Sequence, residues 1–144
     1  MGRSGWASAP DAARARGGPC YPRPPVKVLL ADDDALIRSL VSDLLADLGH
    51  AVVVAADGAE AVTLSAREPP DVLVLDLLMP RLSGLDALRA MREAGVAAPA
   101  VLLTAITDGS ARALEGADEV AVVLEKPVSR RALARALARA TAAR

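Results

Sequence analysis

DVLVLDLLMPRLSGLDALRAM occupies residues 71–91. It opens on a short apolar run, reaches Asp76, passes Pro80 and Gly84, and then spaces Leu85, Leu88 and Met91 three residues apart. Asp71–Leu75 reads as a strand apolar enough to be covered on both faces. Met79–Gly84 reads as a loop, and Leu85–Arg92 as a helix with Leu85, Leu88 and Met91 inward. Strand, loop and helix in that order form one unit of a β/α repeat. Asp76 stands where the chain leaves the strand.

The same grammar extends in both directions. Val26–Ala31 is an apolar run broken only by Lys27. A helix is expected over Ala35–Leu48, with Leu36, Leu40, Leu44 and Leu48 on one stripe and Gly49 as its stop. Ala51–Ala55 is a second strand. Asp57 offers an N-cap to a helix from Ala59 to about Arg67, which Pro69 and Pro70 break. Beyond the central unit come a strand over Ala100–Leu103, a short helix over Ser110–Glu115 and a strand over Val120–Leu124. Ser129 then caps a last helix that buries Leu133 and Leu137 and leaves Arg131, Arg135 and Arg139 on a solvated face. Strand and helix alternate five times. The pattern predicts a doubly wound α/β domain, a five-stranded parallel sheet with helices on both faces. Such sheets bind ligands at the carboxyl ends of their strands. Asp32, Asp33, Asp76, Thr104 and Lys126 all fall there, while the second strand ends without a polar cluster, as an edge strand remote from a site would.

Composition narrows the partners. The 144 residues carry a net charge of -1, which favours neither nucleic acid nor an anionic membrane. Hydrophobic residues make up 53% of the chain, yet Trp6 and Tyr21 are its only aromatics, so the core must be aliphatic. Cys20 is the sole cysteine, which excludes an intrachain disulfide and points to a reducing, cytoplasmic setting. No apolar run approaches the ~18 residues of a membrane span. Residues 1–25 are rich in Gly, Pro, Ala and Arg, carry +3 and lack periodicity, and they read as a disordered tail before a domain over 26–144. Lys27 and Lys126 are the only lysines in an arginine-rich chain. A compact ammonium at Lys126, against that bias, suits a point charge rather than a planar fork.

Three carboxylates brought together cannot all stay ionised without a cation. Oxygen ligands with no Cys or His beside them select a hard ion, Mg²⁺ before Ca²⁺. Asp76 is then either a third ligand or a nucleophile, since carboxylates accept phosphoryl groups. Lys126 suits an ammonium that pairs with Asp76 at rest and with a phosphoryl oxygen afterwards. The Thr104 hydroxyl can hydrogen-bond another such oxygen, and Ala105 beside it leaves room for the group. Blander readings exist for each piece alone: Asp34 as a helix cap, Thr104 as a structural strand end, His50 as a structural residue at a turn. The constellation outweighs them because all would have to hold together.

These residues resemble the receiver domain of two-component response regulators. The matching pieces are VLLADDD (Val28–Asp34), DVLVLDLLMPRLSGLDAL (Asp71–Leu88), VLLTA (Val101–Ala105) and EKP (Glu125–Pro127). The resemblance implies strand order 2-1-3-4-5. It implies that Asp76 accepts a phosphoryl group from a sensor histidine kinase or histidine phosphotransfer protein. Asp33 and Asp76 would ligate Mg²⁺ directly, Asp32 through water, and the Leu78 backbone carbonyl would be a further ligand. Thr104, Ala105 and Lys126 would receive the phosphoryl group, and the Lys126–Pro127 bond would be cis.

The sequence departs from that family at two places. An aromatic usually stands three residues before the lysine; here the position is Val123, so a rotating ring cannot be the switch. The segment from Asp108 to Val120 promises only a short fourth helix. Leu78 and Ile106, which would flank the phosphoryl group, are both apolar and are expected to slow its hydrolysis. No output domain is apparent and no basic, aromatic-bearing patch suggests DNA binding. The expectation is a stand-alone, non-enzymatic switch that signals to a downstream effector protein, with a homodimer through the face of the fourth helix, fifth strand and fifth helix as a further possibility. Two competing readings are a phosphate-independent docking module and a Mg²⁺-dependent phosphatase of the haloacid dehalogenase type. The latter wants a carboxylate where Leu78 stands.

Overall fold

The computed structural model describes residues 26–117 and 120–142. The tail expected over residues 1–25, with Trp6, Cys20 and Tyr21, lies outside them. Five strands, β1 (Lys27–Ala31), β2 (Ala51–Ala55), β3 (Val72–Asp76), β4 (Ala100–Thr104) and β5 (Val120–Glu125), alternate with helical segments. These are α1 (Ala35–Asp47), α2 (Gly58–Arg67), α3 (Gly84–Glu93), a 3₁₀ turn η1 (Ser110–Leu114) and α4 (Arg130–Ala142). The strands form one sheet in the order β2-β1-β3-β4-β5, with every pair parallel. This is the expected fold and order.

Successive strand residues point to opposite faces, and the core divides accordingly. Leu29, Leu73, Leu75, Leu102 and Val123 pack with Ala61 of α2, Leu88 and Met91 of α3 and Ala111 of η1. Val28, Leu30, Val74, Val101, Leu103 and Val122 pack with Val41 and Leu45 of α1 and Leu133 and Leu137 of α4. Every residue of β3 and β4 is buried, as central parallel strands require.

Helix starts follow from their caps. Asp34 accepts hydrogen bonds from the Leu36 and Ile37 N–H groups at 2.9 and 3.3 Å. Asp57 and Glu60 form a reciprocal box, Glu60 N–H to Asp57 at 2.8 Å and Ala56 N–H to Glu60 at 2.7 Å. Ser83 and Ser129 cap α3 and α4. α1 ends before Gly49, whose φ of 95° suits a residue without a side chain.

The expected stripe on α1 is corrected. Leu36 and Leu40 are 69% and 52% exposed, and Leu44 is only half-buried; Leu48 alone of the four is fully inside. A helix turns about 100° per residue, so adjacent residues face different ways. The leucine line stands one residue ahead of the line that faces the sheet, and Leu36 and Leu40 are rotated out to solvent. Val41 and Leu45, with Ile37 partly buried, provide the inward face instead.

Candidate functional site

All five strands run the same way, so their carboxyl ends share one edge. Asp32 and Asp33 follow β1, Asp76 ends β3, Thr104 ends β4, and Lys126 follows β5. Asp32, Asp76 and Thr104 are buried, and Asp33 is exposed. The Lys126 Nζ lies 3.2 Å from Asp32 Oδ2 and 3.2 Å from Asp76 Oδ1, with its side chain mostly covered. Asp32, Asp33 and Asp76 each offer a carboxylate oxygen within 4.8 Å of the others. The five residues that the sequence picked out are thus at one end of the sheet, and the acids and lysine are in direct reach of each other.

Backbone contacts hold the pieces in register. Lys126 N–H donates to the Thr104 carbonyl at 2.7 Å, and Leu77 N–H to the Leu103 carbonyl at 2.8 Å. The Thr104 hydroxyl oxygen accepts from Ile106 N–H at 3.0 Å, which leaves its own proton to donate. Asp32 Oδ1 accepts from Asp34 N–H at 2.9 Å. With Oδ2 on Lys126, both Asp32 oxygens have protein donors, whereas Asp33 faces solvent. Lys126–Pro127 is cis, as expected.

Gly84 explains the last residue of the motif. A Cβ there would lie 2.2 Å from the Asp76 carbonyl oxygen, so only glycine lets α3 start against the strand that carries Asp76. Arg81 takes a positive φ of 69° in the intervening loop. Leu78 is 62% exposed at the rim of the site, while Ile106 is half-buried. Val123 is buried on the η1 face, and its N–H donates to Glu115 at 2.8 Å. His50 is structural: its Nδ1 accepts from Val26 N–H at 3.2 Å, and burial lowers its pKa.

Two residues escaped the sequence reading. The Arg38 guanidinium donates to the Asp32 carbonyl at 2.7 Å and so ties α1 to the acidic turn. Glu115 bonds to the backbone of β5. Both act on main-chain groups, which carry no side-chain signature to search for.

Burial raises the Asp76 pKa to about 6, with the Asp32 charge adding to it and Lys126 opposing it. Burial works against the Lys126 charge too, but Asp76 and Asp32 outweigh it and hold its pKa above the ordinary lysine value. One ammonium does not balance three carboxylates. A divalent cation on oxygen ligands completes the charge, and the donor set fits Mg²⁺.

Residues 28–138 match the family model described as the response regulator receiver domain. The chain belongs to this family. It is 43% identical over 81 residues to response regulator MprA of Mycobacterium sp. (strain KMS), a match covering 56% of this chain and 35% of that protein. The chain thus spans well under half the length of that curated relative. Chemotaxis response regulator CheY4 of Vibrio cholerae superposes with a TM-score of 0.72 at 32% identity, over 81% of this chain and 99% of that one. The receiver domain of sensor histidine kinase PA1611 from Pseudomonas aeruginosa, solved with a magnesium ion coordinated in its active-site cleft, gives 0.72 at 28% identity, over 83% and 99%. The receiver fold is therefore shared with a protein that holds Mg²⁺ in its active-site cleft.

Proposed function

We propose that this receiver domain is a phosphoacceptor switch, with Asp76 as the residue that takes the phosphoryl group. The observation that carries the reading is Lys126 Nζ at 3.2 Å from both Asp32 and Asp76, with Asp33 within reach, at the carboxyl edge of the sheet. The donor is a phosphohistidine on a sensor kinase or phosphotransfer protein. One Asp76 oxygen bonds to phosphorus as the donor's P–N bond breaks, and the electron pair stays on the imidazole nitrogen, which takes up a proton. Lys126 then exchanges its contact with Asp76 for one with a phosphoryl oxygen, and the Thr104 proton is donated to another. Mg²⁺, when bound by Asp33, Asp76 and the Leu78 carbonyl with Asp32 assisting through water, supplies positive charge to the transferring group. Leu36, Leu40 and Leu78 are exposed near this edge, which supports docking of an apolar donor surface. Output goes to an effector protein in a reducing, cytoplasmic compartment.

Leu78 is apolar where a phosphatase needs a second carboxylate, which favours a switch over a turnover enzyme. Incubation with acetyl phosphate and Mg²⁺, followed by intact mass, tests the assignment. The expected result is a gain of one phosphoryl group, lost on omitting Mg²⁺ and in Asp76→Asn. An unchanged mass, with folding intact, leaves a phosphate-independent docking module. Apolar Leu78 and Ile106 keep water from the phosphoryl group, so Leu78→Asn is expected to shorten its lifetime severalfold.

A further inference from the structure

β2 ends without a polar side chain of its own, yet the turn that follows it reaches both arms of the acidic cleft. On one side, the Ala55 carbonyl at the end of β2 accepts from Asp32 N–H at 3.3 Å, which ties the acidic turn to the strand beside it. On the other, Gly58, the first residue of α2, lies against Leu82 of the β3–α3 loop. A Cβ on Gly58 would stand 2.9 Å from the Leu82 carbonyl oxygen, 3.1 Å from its Cβ and 3.2 Å from its Cδ2. The nearest of these is a main-chain atom, so no change of rotamer at Leu82 makes room for it.

Both sides of this contact are stiff. Gly58 sits inside the box in which Glu60 N–H donates to Asp57 and Ala56 N–H donates to Glu60. Leu82 closes a three-residue turn, its N–H donating to the Pro80 carbonyl at 2.7 Å across Arg81, whose φ is 69°. Such a turn is rare and strained, and displacing Leu82 displaces Pro80 with it. The ends of the loop are pinned, by Leu77 N–H on the Leu103 carbonyl and by Gly84 N–H on the Leu77 carbonyl at 2.9 Å. Leu77 and Met79 are buried in the core, while Leu78 between them is exposed. A push at Leu82 therefore falls on the stretch from Leu78 to Arg81. If α2 recedes instead, it draws the end of β2 away from Asp32. Either way the two arms of the cleft move apart.

We propose that Gly58 is a positioning residue for the cation, and that the β2–α2 turn is a brace setting the span between the acidic turn and Leu78 to suit a small ion. The inference rests on the phosphoacceptor reading above, in which Asp33, Asp76 and the Leu78 carbonyl hold Mg²⁺. Mg²⁺ demands near-ideal octahedral ligands at about 2.0–2.1 Å, whereas Ca²⁺ accepts irregular shells at about 2.3–2.6 Å. A wider span then weakens Mg²⁺ more than Ca²⁺. Cation selectivity is the property that Gly58 protects, without touching the ion.

Titration of the full chain with magnesium chloride and, separately, calcium chloride, read by isothermal calorimetry and amide resonances, tests the brace. Gly58→Ala is expected to weaken Mg²⁺ binding about fivefold or more and Ca²⁺ binding less than about twofold, as their coordination demands imply. Glu60→Ala, at an exposed position, opens the box and should move the Mg²⁺-to-Ca²⁺ affinity ratio the same way by a smaller factor. Leu45→Ala lies in the core on the other face of the sheet; it lowers stability without touching the brace and should leave the ratio unchanged. Far-UV circular dichroism establishes that each variant is folded, and if Gly58→Ala does not fold, Glu60→Ala decides. An unchanged ratio in the folded brace variants, or an equal fall in Leu45→Ala, overturns the inference and leaves the metal site standing. A parent chain that binds neither ion removes the metal reading and the brace together.

Discussion

Asp76 sits where its surroundings resist its charge. Burial is the largest cause and Asp32 the next, so its pKa stands near 6. An acid with a raised folded-state pKa contributes stability that is present below the unfolded value and lost as pH rises through the folded one. From pH 7 upward the ion-free protein therefore bears the full penalty of a buried carboxylate. Asp76→Asn is expected to be more stable than the parent there, on the order of 3 kcal/mol, with the gain vanishing below about pH 4. Urea denaturation across that range, without divalent ions, measures it; a gain that persists at low pH would rule out the ionisation as its source. Each acid has a separate part. In the proposed switch Asp76 meets the incoming phosphorus and exposed Asp33 faces the cation, while Asp32 has both oxygens on protein donors. The sequence named all three, because acids at the ends of apolar runs have few other uses, but their division of labour needed the hydrogen bonds.

At the scale of elements, strands were the most legible because β3 and β4 are buried throughout and read as unbroken apolar runs. α1 was the least legible. Leucines four apart look like a core stripe, yet the inward line is the equally spaced one a residue later, Ile37, Val41 and Leu45, and Leu36 and Leu40 are left in solvent. The corrected face predicts that Leu40→Glu changes stability by less than about 0.5 kcal/mol. Leu45→Ala, at a fully buried site, should cost about 3 kcal/mol. Chemical denaturation of the two variants decides between the faces; similar losses in both would restore the leucine stripe. The short fourth helix was foreseen from a segment poor in helix turns, and it is a 3₁₀ turn. Its Glu115 bond to β5 was not foreseeable, since the pairing spans eight positions and ends on a backbone N–H.

Across the whole molecule, one chain of contacts connects Asp76 to the far edge. Asp76 pairs with Lys126, Lys126 N–H holds the Thr104 carbonyl, and β5 behind it is tied to η1 through Val123 and Glu115. No aromatic ring takes part, and in the proposed switch this backbone path is the route by which a phosphoryl group on Asp76 acts on β5. Binding of beryllium fluoride with Mg²⁺ is expected to shift amide resonances throughout Val120–Arg131; shifts restricted to the immediate neighbours of Asp76 would show the path to be silent. The aliphatic core has a spectroscopic consequence as well. No indole or phenol falls within residues 26–142, so near-ultraviolet absorbance and intrinsic emission carry no reporter from the sheet. The domain is optically blank. A single tryptophan introduced at solvent-facing Leu78 in a Trp6→Phe background would emit from beside the acidic cleft alone, and its quenching would count ions, donors and phosphoryl groups as they arrive.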